Sequence, residues 1–118
     1  MVSIIMAAYN AEKTIEQAIN SVLNQTYTNF ELLVVNDCSK DGTVESVKSI
    51  AATDGRVRLI SNEKNSGVSY TRKHGLEEAN GSWIAILDSD DAWAPEKLEK
   101  QIELQNRTNA DLLFTGST

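Results

Sequence analysis

The chain has 118 residues, 41% of them hydrophobic and 24% charged, with six glycines and one proline. That is the size and balance of a single globular domain with room for a core, which excludes a disordered or low-complexity chain. The net charge of −6 argues against nucleic acid or an anionic membrane surface as a main partner, because both attract basic proteins. No apolar run approaches the roughly twenty residues that a membrane span needs.

Residues 2–8, Val-Ser-Ile-Ile-Met-Ala-Ala, are an apolar run rich in β-branched residues and are predicted to form a buried strand. Tyr9 and Asn10 break the run. Asn10 suits the N-cap of a helix predicted over 11–25, where Ile15, Ala18, Ile19, Val22 and Leu23 recur at helical spacing. A second buried strand follows at 31–35. In the polar loop after it, Asp41 can cap a helix presenting Val44, Val47, Ile50 and Ala51. Val57, Leu59 and Ile60 mark a third strand. The next helix runs through Val68, Thr71, Gly75, Leu76 and Ala79, with Gly81 as its expected C-terminal stop. Residues 83–87 are a fourth strand, and Pro95 suits the first turn of a helix carrying Leu98 and Ile102. Residues 112–114 read as a fifth strand. The alternation predicts an α/β fold, a mostly parallel sheet with helices on both faces.

In an open α/β sheet, ligands bind beyond the carboxyl ends of the strands. Four of the seven aspartates, Asp37, Asp88, Asp90 and Asp91, fall at those positions. Three carboxylates within four residues repel one another, and a divalent cation relieves the conflict. Mg²⁺ and Mn²⁺ prefer oxygen ligands and bind through carboxylates together with phosphate oxygens. The cluster therefore reads as a metal site serving a phosphorylated ligand. Asp88 and Asp91 can equally be turn and cap residues ahead of the Pro95 helix. Asp37 can accept a hydrogen bond from a base N–H or cap its own loop. Tyr9 can stack on a base or cover the sheet edge. Arg72 can reach a phosphate or lie solvated on its helix. His74, the single histidine, has no partner in the sequence pattern and reads as structural or exposed. Trp83 reads as core, and Trp93 as core or pocket wall. The lone Cys38 cannot pair internally, which fits a reducing compartment.

The motifs match a known family. Val2-Ser-Ile-Ile-Met-Ala-Ala-Tyr-Asn10, Ser21-Val-Leu-Asn-Gln-Thr26, Phe30-Glu-Leu-Leu-Val-Val-Asn-Asp37, Ser39-Lys-Asp-Gly-Thr43, Asn65-Ser-Gly67, Arg72 with Gly75, and Leu87-Asp-Ser-Asp-Asp-Ala-Trp93 occur in order over nearly the whole chain. In this set the chain resembles the N-terminal half of the family 2 glycosyltransferases, which have the Rossmann-like GT-A fold. The resemblance implies a nucleotide-binding first loop containing Ala7 and Tyr9, with Tyr9 against the base. It implies that Asp37 contacts a uracil-type base and that Arg72 lies near the nucleotide. Asp88-Ser89-Asp90 matches the family's Asp-x-Asp motif, with Asp90 the direct metal ligand and Asp88 a ribose or water-mediated contact; Asp91 is a weaker candidate for the same site. The implied donor is a nucleotide-diphosphate sugar, UDP-sugar favoured, with Mn²⁺ or Mg²⁺ neutralising the leaving diphosphate.

The sequence departs from the family pattern at Ala7, usually Pro, at Asn36, usually Asp, at Cys38, usually Gly, and at Lys73, usually Asn. Lys73 and Cys38 bear on sugar selectivity and loop geometry. The family's acceptor-binding half and catalytic base lie beyond the matched segment. The chain is therefore expected to be one donor-binding domain of a longer inverting enzyme, acting on an acceptor glycan or lipid-linked glycan. Its expected setting is cytoplasmic, with the full-length protein at the inner face of the membrane. An unpaired edge strand and uncovered apolar surface would favour a homodimer.

Other readings fit less well. A receiver domain is similarly short, α/β and acidic at its strand ends, but needs a carboxylate pair directly after the first strand, where Ala8-Tyr9-Asn10 stands. A sugar nucleotidyltransferase needs a Gly-rich phosphate loop there. A nucleotide-binding module without transferase activity of its own stays open.

Overall fold

The computed structural model describes residues 1–108. Four strands, Val2–Ala8 (β1), Phe30–Asn36 (β2), Val57–Ser61 (β3) and Trp83–Ile86 (β4), alternate with four helices, Ile15–Leu23 (α1), Thr43–Ala51 (α2), Val68–Glu78 (α3) and Lys97–Thr108 (α4). The strands form one sheet in the order β3-β2-β1-β4, and every pairing is parallel. The strand read at 112–114 lies outside the described residues. Among those residues no helix is long and apolar enough to cross a membrane.

The central strands are apolar over most of their length because both faces of the sheet are covered; Ser3, Glu31 and Asn36 are their buried polar residues. Every residue of β2 is buried, and in β1 only Ala7 is partly open. Side chains alternate between the faces of a strand. Val2, Ile4, Met6 and Ala8 of β1 join Leu32 and Val34 of β2 in a core that takes in Ile15, Ala18, Ile19 and Val22 of α1, Val47 of α2, and Leu98 and Ile102 of α4. Trp93 completes this core and is only 5% exposed, whereas Trp83 packs against it partly buried.

The opposite face carries α3, which meets the sheet through small residues. A Cβ built on Gly75 would lie 2.7 Å from Ile5 Cγ2 and 3.1 Å from Val35 Cγ2. The absence of that carbon lets the helix backbone rest directly on β1 and β2. Thr71 and Gly75 are buried, and the larger Val68 and Leu76, which helical spacing assigns to the same face, are 53% and 43% exposed. The close approach pushes them to the flanks.

Several local expectations are corrected in the same way. Asn10 is not the cap of α1. It adopts a left-handed φ of 49°, and its Oδ1 accepts the Lys40 N–H at 2.8 Å. Residues 11–14 form a separate turn, so the helix starts at Ile15 rather than at 11. Gly81 does not end α3, which stops at Glu78 with an extended Ala79 after it. A Cβ there would meet Ser3 Oγ at 2.6 Å and the Met1 carbonyl oxygen at 2.7 Å, so glycine permits the approach of this loop to β1. Pro95 precedes α4 by two residues instead of lying in its first turn. Asp41 does serve α2: its Oδ1 accepts the N–H of Thr43, the first helical residue, at 3.0 Å.

Candidate functional site

The parallel arrangement brings the carboxyl ends of β1, β2 and β4 side by side, and a cleft of about 660 Å³ opens there. Ala7, Tyr9, Asp37, Arg72, Asp88 and Asp90 all line it, whereas Asp91, the weaker candidate of the sequence, is not among its lining residues. They come from four separate segments, so the fold alone assembles them. Thr14, Asn65, Gly67 and Thr71 also line it.

Each residue is held by local geometry. Tyr9 follows β1 and is half exposed, its ring open to a ligand. Asp37 follows β2 and is 4% exposed. Its Oδ1 accepts the Asn62 side-chain amide at 2.9 Å and the Ser66 N–H at 2.8 Å, and its Oδ2 accepts the Gly67 N–H at 3.0 Å. Burial alone would raise its pKa, but these three hydrogen bonds outweigh it and hold the carboxyl below the usual range. Asp37 therefore stands as a carboxylate and ties the end of β2 to the loop that starts α3. Gly67 reaches this position with φ of 90°, a conformation that favours glycine.

The acidic loop after β4 is tethered from α1. Thr14 Oγ1 donates to the Ser89 carbonyl at 2.9 Å. Farther along, the Gln25 side chain donates to the Ala94 carbonyl at 2.7 Å, and its Oε1 accepts the Leu98 N–H at 2.9 Å. Gln25 thus caps the start of α4 across 73 residues of chain. No local motif of the sequence assigns Gln25 this task. The available signal was a polar residue among helix positions that otherwise bury apolar ones.

Between these tethers, carboxylate oxygens of Asp88, Asp90 and Asp91 lie within 4.8 Å of one another. Arg72 Nη2 donates to Asp88 Oδ1 at 2.7 Å, which balances one of the three charges. Among the described residues, three buried side-chain polar atoms lack a hydrogen-bond partner: Arg72 Nε, Asp91 Oδ2 and Trp93 Nε1. Arg72 lines the cleft, and the other two atoms belong to the acidic loop. Three converging carboxylates with an orphaned oxygen on Asp91 fit a hard divalent cation, which takes oxygen ligands and repays their desolvation. Asp91 is thereby drawn into the same cluster as Asp88 and Asp90.

Two features escaped sequence reading. Asn62 is 6% exposed and joins Asp37 to Thr71, whose Oγ1 accepts from the Asn62 amide at 2.9 Å. His74 is not partnerless, since its Nδ1 lies 2.7 Å from Asn62 Oδ1. Neither contact has a sequence signature, because each joins different loops and helices through side chains.

Comparison with known proteins gives a consistent picture. Residues 3–117 match the family described as Glycosyl transferase family 2. The chain is 40% identical over 116 residues to a putative teichuronic acid biosynthesis glycosyltransferase, TuaG, of Bacillus subtilis, an alignment covering 98% of this chain and 46% of that protein. It is 46% identical over 114 residues to the Escherichia coli UDP-Glc:alpha-D-GlcNAc-diphosphoundecaprenol beta-1,3-glucosyltransferase WfgD, covering 97% of this chain and 44% of that protein. The chain thus spans less than half the length of these relatives. Among solved structures, S. aureus TarS 1-349 in complex with UDP superposes with a TM-score of 0.85 at 31% identity, over 93% of this chain and 33% of that one. The mannosyltransferase PcManGT of Pyrobaculum calidifontis, in complex with GDP-Man and Mn²⁺, gives 0.83 at 27% identity, over 88% and 32%.

Proposed function

The chain belongs to glycosyltransferase family 2, and from that premise we propose that its cleft binds the nucleotide-diphosphate sugar, a UDP-sugar, from which the longer protein transfers the sugar to an acceptor hydroxyl. The observation that carries this reading is the convergence of Tyr9, Asp37, Arg72, Asp88 and Asp90 on one cleft at the strand ends, with Asp91 clustered against the last two.

Each residue then has a task that its chemistry permits. Tyr9 offers an exposed ring for the base, beside the small Ala7, which leaves room for it. Asp37 is a carboxylate with acceptor capacity left on Oδ2, suited to a base N–H. Arg72 has a spare buried N–H for a phosphate oxygen and a second group already steadied by Asp88. Asp90 and Asp91 would hold the divalent cation, Mn²⁺ or Mg²⁺, with Asp88 beside it toward the ribose. When bound, that cation supplies positive charge against the leaving diphosphate.

Inverting transfer joins the acceptor oxygen to the anomeric carbon as the bond to the diphosphate breaks, and a base must take the hydroxyl proton. No residue of the cleft is offered for that role. The 118-residue chain alone is therefore expected to bind UDP and to transfer sugar poorly. Calorimetry with UDP tests the reading. Binding that strengthens when Mn²⁺ is added supports it, and absence of UDP binding with or without Mn²⁺ overturns it. That no described residue of the cleft is offered as the base favours a second reading, a nucleotide-binding module with no activity of its own. Sugar transfer that is lost in a longer protein carrying Asp90→Ala would count against that second reading.

A further inference from the structure

We propose that His74 is a positioning residue of this cleft: acting through Asn62, it holds Asp37 and the 66–67 backbone in place for the nucleotide base. The inference rests on the donor-site reading above.

The hydrogen-bond directions can be assigned without ambiguity. Asp37 stands as a carboxylate and can only accept. The Thr71 hydroxyl donates its proton to the Gly67 carbonyl at 2.6 Å, so toward Asn62 its oxygen also accepts. Two acceptors on the same side of the Asn62 amide require Nδ2 there, 2.9 Å from each. Oδ1 must then face His74, and His74 Nδ1, at 2.7 Å, must carry the proton. Nδ1 is protonated in imidazolium and in one neutral tautomer, so the link holds in either charge state. The result is a continuous line from His74 through Asn62 to Asp37, closed by Thr71 onto Gly67.

Asn62, Thr71 and Asp37 are all at most 6% exposed, and a fully satisfied buried network of this kind is rigid. His74 is its outermost, partly exposed link, packed against Tyr70 with ring centroids 6.2 Å apart. Without the imidazole, Asn62 Oδ1 loses its protein donor and the amide is held from its Nδ2 side alone. The bond from Nδ2 to Asp37 loosens, and more of the task of fixing that carboxylate falls to the two loop N–H groups.

The test compares His74→Ala with His74→Asn, whose side-chain amide can put a donor near the position of Nδ1. Two readouts are taken: UDP affinity, and the ¹H–¹⁵N signals of the Asn62 side-chain amide and of the Ser66 and Gly67 backbone. The expected result for His74→Ala is a roughly five- to tenfold weaker UDP affinity, in the range of one lost supporting hydrogen bond. Mn²⁺ affinity stays unchanged, the three groups of amide signals shift, and His74→Asn restores both. Should His74→Ala fail to fold, His74→Gln, whose amide sits one carbon farther out, takes its place and is expected to weaken UDP without restoring the signals. Unshifted amides, unchanged UDP affinity, or loss of Mn²⁺ affinity in step with UDP overturns the inference. If the wild-type chain binds no UDP, the donor-site reading fails, and the amide signals alone still decide whether His74 positions Asp37.

Discussion

The two ends of the sheet handle carboxylates in opposite ways. At the amino end, Glu31 of β2 stands opposite Ser3 of β1 in the strand register and is surrounded by donors. Ser3 Oγ, the Asn80 N–H and Arg58 Nη1 reach it at 2.5, 2.6 and 3.4 Å, and Gly81 N–H donates to the same serine at 2.7 Å. Burial pushes its pKa up, but these donors outweigh it and hold the carboxyl below its ordinary value. At the carboxyl end, three carboxylates converge, Arg72 answers one of them, and Asp91 Oδ2 and Trp93 Nε1 stay unpartnered. A closed network contributes to folding, whereas unanswered groups at a strand end leave capacity for a ligand. Asp37 combines both roles: it lies at the carboxyl end, beside the cleft, yet its carboxylate is held by Asn62 and by the Ser66 and Gly67 N–H groups of the loop before α3.

That contrast can be broken at either end. The largest stability effect is expected from Glu31→Ala, which strands the Ser3 hydroxyl and the Asn80 N–H. Denaturant unfolding should show a loss of about 3 kcal/mol. A loss comparable to an ordinary surface substitution would contradict the closed-network account. Gly75→Ala should follow at roughly 2 kcal/mol, because the new methyl must displace Ile5 and Val35. An unchanged Tm would mean that α3 can lift off the sheet at no cost.

A smaller effect is expected in the pH dependence. Glu31 and Asp37 have lowered pKa values when folded, so below their ordinary values of 4.5 and 3.8 the unfolded chain binds more protons. Their stabilisation is complete above those values and is lost as pH falls through the depressed folded ones. Stability should therefore rise with pH across the acid range, and Glu31→Gln should flatten that slope. An unaltered slope would remove Glu31 from the account. The smallest effect belongs to the ligand end. Asp88→Asn removes a partly exposed ion pair but also relieves repulsion, so stability should stay within about 0.5 kcal/mol of wild type.

What sequence reading could reach follows from the same physics. β1 and β2 were legible because a strand covered on both faces is a continuous apolar run. The cleft was legible because ligands of such sheets gather at the strand ends, so a cluster of aspartates there stands out. The inward face of α3 was not legible, since helical periodicity weighs Val68 and Leu76 above Gly75, and only the packed structure reveals that glycine makes the contact. Gly81 was misread for a related reason: a glycine after a helix commonly ends it, and here it serves a close approach to β1. Gln25, Asn62 and His74 act between distant segments through side-chain hydrogen bonds, which leave no local pattern.

The proposed function depends above all on a divalent ion held by Asp90 and its neighbours in support of nucleotide-diphosphate binding. It is tested most directly by calorimetry of UDP with and without Mn²⁺ in the wild-type chain and in Asp90→Ala. Mn²⁺ should strengthen UDP binding at least about tenfold in the wild type and have no effect in the variant, which keeps its fold. Equal strengthening in both proteins would contradict it.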